Sequence, residues 1–492
     1  MGQSDVMNVS LHHDPASRNF QEQLSRLPGY PPGLELPLKM MLFADDGLQQ
    51  LSSVLAESGI ERERPLLVLM DTTPMKRGSD DLKPLLLQTL QTAGWRLQPL
   101  WLEPDNGHQV HTDFAQIGRV IACLPGCGGL LAVGSGTIAD IGKHACYCFE
   151  QEQNQAPLPF VIYQTANSVS AFTSNMAPVF VAGVKRTLPS RYATALVCDL
   201  PTLTSAPPEM TAAGVGDLLA AACSMADWYL ADQLHMDPGY NPLAEALMAG
   251  MDDLLLQVGP AIRAGNAKGV AVLAKLISLS GLSMSLCGVT TPFSGYEHVI
   301  SHVLDLQASL AHEPFAAHGA QVALATVLCT EAYRILLAEL QPDGVHSPAC
   351  YPESLQMESD VTRAFNGLDA SGRVAAECWA DYSQKLEAWR RADTLPQFLE
   401  RWPLIRERLD GMVRPPERVV TVLHSVGAPL RFDALQPAIG GDRVQFAFLM
   451  APLIRKRFTS GDLFLFLNWD RHALWQRVWE RAGGLATAAH NS

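Results

Sequence analysis

Along the amino-terminal part of the chain, short continuous apolar runs alternate with segments of helical spacing. Met40–Phe43, Pro65–Met70, Leu97–Leu102, Leu130–Val133, Phe160–Tyr163 and Ala195–Val197 read as strands. Pro65–Met70 is apolar at every position, as a strand buried on both faces requires. Leu48–Ser58 and Leu82–Ala93 have the spacing of amphipathic helices, and they stop at Gly59 and Gly94. Strands alternating with helices build a parallel sheet of Rossmann type, whose ligands bind beyond the carboxyl ends of the strands. Residues 36–207 are therefore expected to form an α/β Rossmann-like domain.

After Pro208 the pattern turns helical. Met210–Leu234, Pro242–Val258, Gly269–Leu286, His298–Leu310 and Gly319–Leu340 carry helical spacing. Val374–Arg391, Leu395–Leu409, Pro415–His424 and Val444–Arg457 follow, with a polar loop expected over Asp343–Glu358. Residues 208–492 thus read as an all-α domain with a carboxyl-terminal extension. Residues 1–35, weakly patterned and containing Pro and Gly, read as an amino-terminal extension that wraps or frays.

Composition narrows the classes. With 492 residues, 48% of them hydrophobic and only 17% charged, the chain can bury large cores. Its net charge, 36 − 50 = −14, argues against a nucleic-acid surface. Ten cysteines lack C-x-x-C spacing and sit mostly in apolar contexts, so a reducing cytoplasm is expected rather than a disulfide framework. The amino terminus is polar around His12, His13 and Asp14 and lacks the apolar run of a secretion signal. Gly269–Val289 is the least polar helical stretch, but Lys275 and several serines interrupt it, so a buried helix is expected and no membrane span.

The candidate chemistry begins with two histidines. His298 lies in Ser-Gly-Tyr-Glu-His-Val-Ile-Ser-His (294–302), and His318 opens His-Gly-Ala-Gln-Val. Upstream, Gly-Val-Gly-Asp-Leu-Leu-Ala offers the carboxylate of Asp217. One Asp and two His from separate segments can hold a divalent metal and leave a position open for substrate. Each alone is more ordinary, a satisfied histidine or a dipole-stabilised carboxylate, so the metal reading rests on their convergence. Gly134-Ser135-Gly136-Thr137 follows a strand and opens a helix, a geometry suited to a pyrophosphate. The turn lacks the full G-x-G-x-x-G spacing and is equally an ordinary strand-to-helix turn. Asp71, at a strand end, can accept from ribose hydroxyls or serve as a turn or capping residue.

These motifs, in this order, resemble the iron-containing alcohol dehydrogenase superfamily, in particular its glycerol-1-phosphate dehydrogenase branch. The resemblance also takes in Asp71-Thr72-Thr73, Gly183–Thr187, Ala226-Asp227-Trp228 and Ile454–Thr459, and covers roughly Leu36 to Leu467. It implies the two-domain fold shared with dehydroquinate synthase, with the catalytic site in the cleft between domains. It implies NAD(P) on Gly134, Ser135, Gly136, Thr137 and Asp140, with Asp71, Thr165 and Ser168 also at the cofactor. It further implies a divalent metal on Asp217, His298 and His318. Those ligands act catalytically through the metal, and His302 is expected to line the pocket or to be structural. Asp71 leans towards NAD over NADP. The donor set suits zinc foremost, and also nickel or iron(II). Self-association is expected from the family.

The chain departs from the family pattern twice. Ser170 stands where relatives usually carry an acid, and Ala221 where many carry Lys. The leading reading is oxidoreduction of a small polyol or polyol phosphate, best sn-glycerol 1-phosphate and dihydroxyacetone phosphate. The alternatives are a dehydrogenase for another alcohol, a dehydroquinate synthase-like cyclase, and a non-catalytic metal- or nucleotide-binding homologue. A phosphate would need cationic partners, for which Lys185, Arg186, Arg455 and Arg457 are candidates.

Overall fold

The computed structural model describes residues 11–104, 109–153, 157–181, 183–237, 239–345 and 350–490. Residues 1–10 of the expected amino-terminal extension and 346–349 of the expected polar loop lie outside the described residues. The chain divides into two compact units. The first comprises residues 1–179, 187–215 and 242–289; the second comprises 180–186, 216–241 and 290–492.

The strands, in chain order, are β1 (Met40–Ala44), β2 (Leu66–Asp71), β3 (Lys76–Arg77), β4 (Asp80–Asp81), β5 (Leu97–Leu102), β6 (Gly129–Gly134), β7 (Phe160–Gln164), β8 (Met176–Val181), β9 (Val184–Pro189) and β10 (Ala195–Asp199). Among the described residues, six of them form one sheet in the order β1-β10-β7-β6-β2-β5, paired in parallel. All six strands expected from the apolar runs are in it. Leu66 to Met70 are fully buried, the outcome their unbroken apolar run implies. Each such side chain contributes roughly 1.5–3 kcal/mol by leaving water. The chain runs from β2 outward to β5 and then returns past β2 to β6, so strand order reverses between β2 and β6. That reversal opens a crevice at the carboxyl ends of these two strands.

Helix Ala267–Cys287 also belongs to the first unit. It passes a length-and-hydropathy test for a membrane span, as does helix His318–Glu339, but 78% and 94% of their apolar windows are buried inside the protein. Both are core helices. Loop Thr165–Ser174 packs on the first of them: Asn167 Nδ2 donates to the Val270 carbonyl at 3.0 Å, and Thr173 Oγ1 to that of Ser278 at 2.7 Å. A Cβ at Gly281 would fall 2.7 Å from the Ser170 carbonyl, so the loop lies directly on that helix.

In the second unit the helix Tyr296–Leu310 is buried on all sides from Tyr296 to Ala308, as is most of His318–Glu339. Asp227 accepts from the backbone N–H of both Tyr296 and Ser460, each at 2.8 Å, and from the Tyr333 hydroxyl at 2.6 Å. One carboxylate thereby satisfies the starts of two helices. Burial, with Glu297 close by, pushes its pKa up to about 7.

Several boundaries differ from those the sequence predicts. The helix expected over Met210–Leu234 breaks into Pro208–Leu218, a tight 3-10 turn at Leu219–Ala222, and Ser224–Gln233. The apolar run at the break is buried on all sides and carries no period to mark it. Pro242–Val258 divides at Gly250, whose φ of +74° ends one helix before Met251–Arg263 begins. Leu395–Leu409 divides ahead of Pro403, and Val444–Arg457 stops at Met450 before Pro452. The loop expected over Asp343–Glu358 gives way to helix Ser354–Asn366, which buries Met357, Val361 and Phe365 on one face. Helices Phe114–Cys123, Ser460–Phe466 and Arg471–His490 and the pairs β3–β4 and β8–β9 were not foreseen.

Gly214 provides a direct test of the first unit. A Cβ there would lie 1.9 Å from the Asn167 carbonyl oxygen, which is backbone and cannot rotate away. Gly214→Ala is expected to cost about 1–3 kcal/mol, read as a lower urea midpoint at unchanged slope. An unchanged midpoint would contradict this close approach.

Candidate metal centre

Asp217 sits in the last turn of Pro208–Leu218, His298 in the first turn of Tyr296–Leu310, and His318 starts His318–Glu339. Each offers one ligand atom, and the three atoms all lie within 4.8 Å of one another. His298 Nε2 is 3.3 Å from Asp217 Oδ1, and His318 Nε2 is 4.0 Å from the same oxygen.

Two backbone approaches bring them together. Gly216, immediately before Asp217, would place a Cβ 2.3 Å from the Gly319 carbonyl oxygen, immediately after His318. Only a residue without a side chain lets these helices meet so closely. At the other histidine, Asp227 anchors the Tyr296 N–H and Glu297 Oε1 accepts from the Gly295 N–H at 2.7 Å, which sets where the first turn begins.

The far nitrogen of each ligand histidine is held as well. Glu297 Oε1 lies 3.0 Å from His298 Nδ1. A carboxylate accepts, so Nδ1 carries a proton, and Nε2 is the nitrogen turned to Asp217. Ser301 Oγ lies 3.0 Å from His318 Nδ1, and its own proton points to Gln321 Oε1 at a long 3.5 Å. Gln321 Nε2 then donates to Asp305 Oδ1 at 2.9 Å and to the Ala316 carbonyl at 3.0 Å. Two imidazoles and one carboxylate, pre-oriented and largely buried, fit a divalent metal, whose binding displaces any proton on Nε2.

Electrostatics separate the two histidines. Burial, then Lys185 and His298, push the His318 pKa down to about 3. His302 is also held well below its ordinary value, by burial and then by Arg455 and Lys185. For His298 burial acts downward, but the bonds to Asp217 and Glu297 outweigh it and raise the pKa. His302 lies outside the three-donor cluster. Its ring nearly parallels that of His318, 5.7 Å away at 9°, and its buried Nδ1 has no hydrogen-bond partner among the described residues.

The family model for iron-containing alcohol dehydrogenase matches residues 43–207. The glycerol-1-phosphate dehydrogenase [NAD(P)+] of Halalkalibacterium halodurans is 33% identical over 326 residues, 63% of this chain and 79% of that protein. The chain belongs to the iron-containing alcohol dehydrogenase family, in its glycerol-1-phosphate dehydrogenase branch. The Bacillus subtilis dehydrogenase of the same name is 37% identical over 217 residues, 44% of this chain, and there the match spans about half of the relative, 52%. A probable glycerol dehydrogenase from Sinorhizobium meliloti has the same fold, with a TM-score of 0.53 at 17% identity, covering 95% of this chain and 99% of that one. An iron-containing alcohol dehydrogenase from Thermotoga maritima gives 0.52 at 13% identity, covering 90% and 99%.

The cofactor residues expected from this family lie in the first unit. Asp71 ends β2 and Gly134 ends β6, each two residues beyond the paired Leu69 and Ala132, at the point where strand order reverses. Gly136 starts helix Gly136–Gln153 and would place a Cβ 2.3 Å from Val169 Cγ2, so the turn packs tightly on the loop after β7. Ser135 and Thr137 are half-buried, while Thr165 and Ser168 are buried in that loop. The Thr165 N–H donates to the Gly134 carbonyl at 3.1 Å. Asp140 pairs with Lys143 at 2.8 Å, and Lys143 also donates to the carbonyls of Ala171, Ser174 and Met176. Asp71 pairs with Lys83 at 2.6 Å.

At the two family departures, Ser170 accepts from Ser280 Oγ at 2.7 Å, and Ala221 lies half-buried in the 3-10 turn after Asp217. Glu297 and Ser301 stand inside the histidine motif, where the sequence alone assigns them no role. Their signal was positional: Glu297 adjoins one ligand, and Ser301 lies on the same helix one turn further on. Glu297→Gln and Ser301→Ala are each expected to lower metal affinity roughly 10–100-fold in a chelator competition, with the helical circular dichroism retained. Wild-type affinity in both variants would show that these contacts do not position the ligands.

Proposed function

We propose that this chain is a metal- and NAD(P)-dependent oxidoreductase that interconverts a polyol phosphate and its ketone, with sn-glycerol 1-phosphate and dihydroxyacetone phosphate the substrate pair. The observation that carries this reading is the three-donor cluster of Asp217, His298 and His318, whose imidazoles are already held by their far nitrogens. The relatives described above are glycerol-1-phosphate dehydrogenases, and dihydroxyacetone phosphate is the ketone that oxidation of that secondary alcohol gives. A divalent metal on these residues supplies Lewis acidity, which favours the alkoxide of an alcohol and polarises a ketone for hydride attack.

The chain's own residues do the rest by positioning. Asp217 brings the negative charge of the donor set and fixes the spacing of the two imidazoles. Glu297 and Ser301 keep Nδ1 of each histidine engaged, so both Nε2 atoms stay available as donors. The turn from Gly134 to Thr137 presents a helix amino terminus, which favours a pyrophosphate. Asp71 suits ribose hydroxyls and repels a 2′-phosphate, which favours NAD over NADP. Arg77 is paired with Asp199 at 2.9 Å, and the cation at Asp71 itself is Lys83, 2.6 Å away, which holds the carboxylate in place. Zinc is the metal this donor set fits best, ahead of nickel and iron(II).

Zinc-loaded protein is expected to oxidise NADH when given dihydroxyacetone phosphate and to stop when the metal is chelated. Asp217→Asn should lower kcat/KM by about a hundredfold or more while the fold persists. A protein carrying one metal per chain that consumes no NADH with this ketone would remove the substrate assignment.

A further inference from the structure

Four basic residues were candidates for holding a phosphate, and the second unit separates them. Arg186 is engaged by two carboxylates, Glu377 at 3.0 Å and Asp381 at 3.1 Å. Arg457 donates to the Ser294 carbonyl and hydroxyl and to the Thr290 hydroxyl. Both are therefore occupied by the protein itself.

Arg455 is different. It is 6% exposed, and among the described residues it forms no ion pair. Its Nη2 donates to the Lys185 carbonyl, and its buried Nε has no hydrogen-bond partner among the described residues. A buried guanidinium beside Arg457 and Arg186, with Asp381 acting on it only from beyond ion-pair distance, carries a desolvation cost that an anionic ligand would offset. Lys185, whose backbone anchors Arg455, pairs with Asp305 at 3.1 Å. Asp305 lies on the metal helix at the spacing His298, His302, Asp305, so these residues share one helical face. Arg455 and Lys185 are also the two cations that act most strongly on His302, which stacks against the ligand His318. The pair therefore lies beside the histidine cluster.

We propose that Arg455, assisted by Lys185, receives the phosphate of the polyol phosphate and so selects phosphorylated over unphosphorylated substrates. This rests on the substrate reading above. A guanidinium offers paired N–H donors matched to phosphate oxygens, and a lysine adds a point charge.

The test uses zinc-loaded, full-length protein and two variants, Arg455→Gln and Lys185→Gln. KM for dihydroxyacetone phosphate should rise roughly 10–100-fold in each, the range for one lost charge-assisted hydrogen bond. KM for unphosphorylated dihydroxyacetone and for NADH should stay unchanged. Calorimetric titration with inorganic phosphate should show binding to the wild type that weakens by a similar factor. If Arg455→Gln fails to fold, judged by melting and zinc content, Lys185→Gln carries the same expectation.

Folded variants with unchanged KM and unchanged phosphate binding would overturn the phosphate site and leave the oxidoreductase reading intact. Failure of the wild type to bind inorganic phosphate would overturn it too. A wild type that binds phosphate through Arg455 but reduces no dihydroxyacetone phosphate would support the anion site while removing the substrate reading.

Discussion

The cluster of Asp217, His298 and His318 depends on one backbone contact, the approach of Gly216 to the carbonyl of Gly319, where a single Cβ would come within 2.3 Å. Each glycine adjoins a ligand, so the contact that brings two helices together also brings Asp217 to His318. A donor cluster within 4.8 Å tolerates little error, because a displacement of one side-chain thickness would separate the carboxylate from both imidazoles. Packing at that glycine sets the spacing, and hydrogen bonds then set the orientation.

Orientation is carried by buried polar groups whose cost is offset by close pairing. Asp227 satisfies two helix starts and a tyrosine hydroxyl, while Glu297 serves a backbone N–H and His298 together. Lys385 and Asp462 form a fully buried pair at 2.5 Å, and Asp462 also completes a capping box with Thr459. Such groups fold only if all their partners arrive together, so they bind the helices of the second unit to one arrangement. Arg455 departs from this rule, and it lies beside the histidine cluster.

The sheet was legible because a parallel strand buried on both faces leaves an unbroken apolar run, as Leu66–Met70 does. The three clustered donors are legible through their neighbours: Gly216, Gly319 and the Glu297-His298 step all stand within their motifs. The helix breaks were not, because Leu218–Cys223 is buried on nearly every side and carries no periodic mark. Helix Ser354–Asn366 escaped notice because its three buried residues are spaced through a polar stretch. The roles of Lys185, Asp305 and Arg455 depend on contacts far apart in sequence, which no local pattern encodes.

The central claim is that Asp217, His298 and His318, and no other side chains, hold the metal. X-ray absorption fine structure at the zinc edge of loaded protein tests it most directly. The account predicts a shell of nitrogen and oxygen only, near 2.0–2.1 Å, with the multiple scattering of two imidazoles. A sulfur shell near 2.3 Å, or a third imidazole contributed by His302, would contradict it.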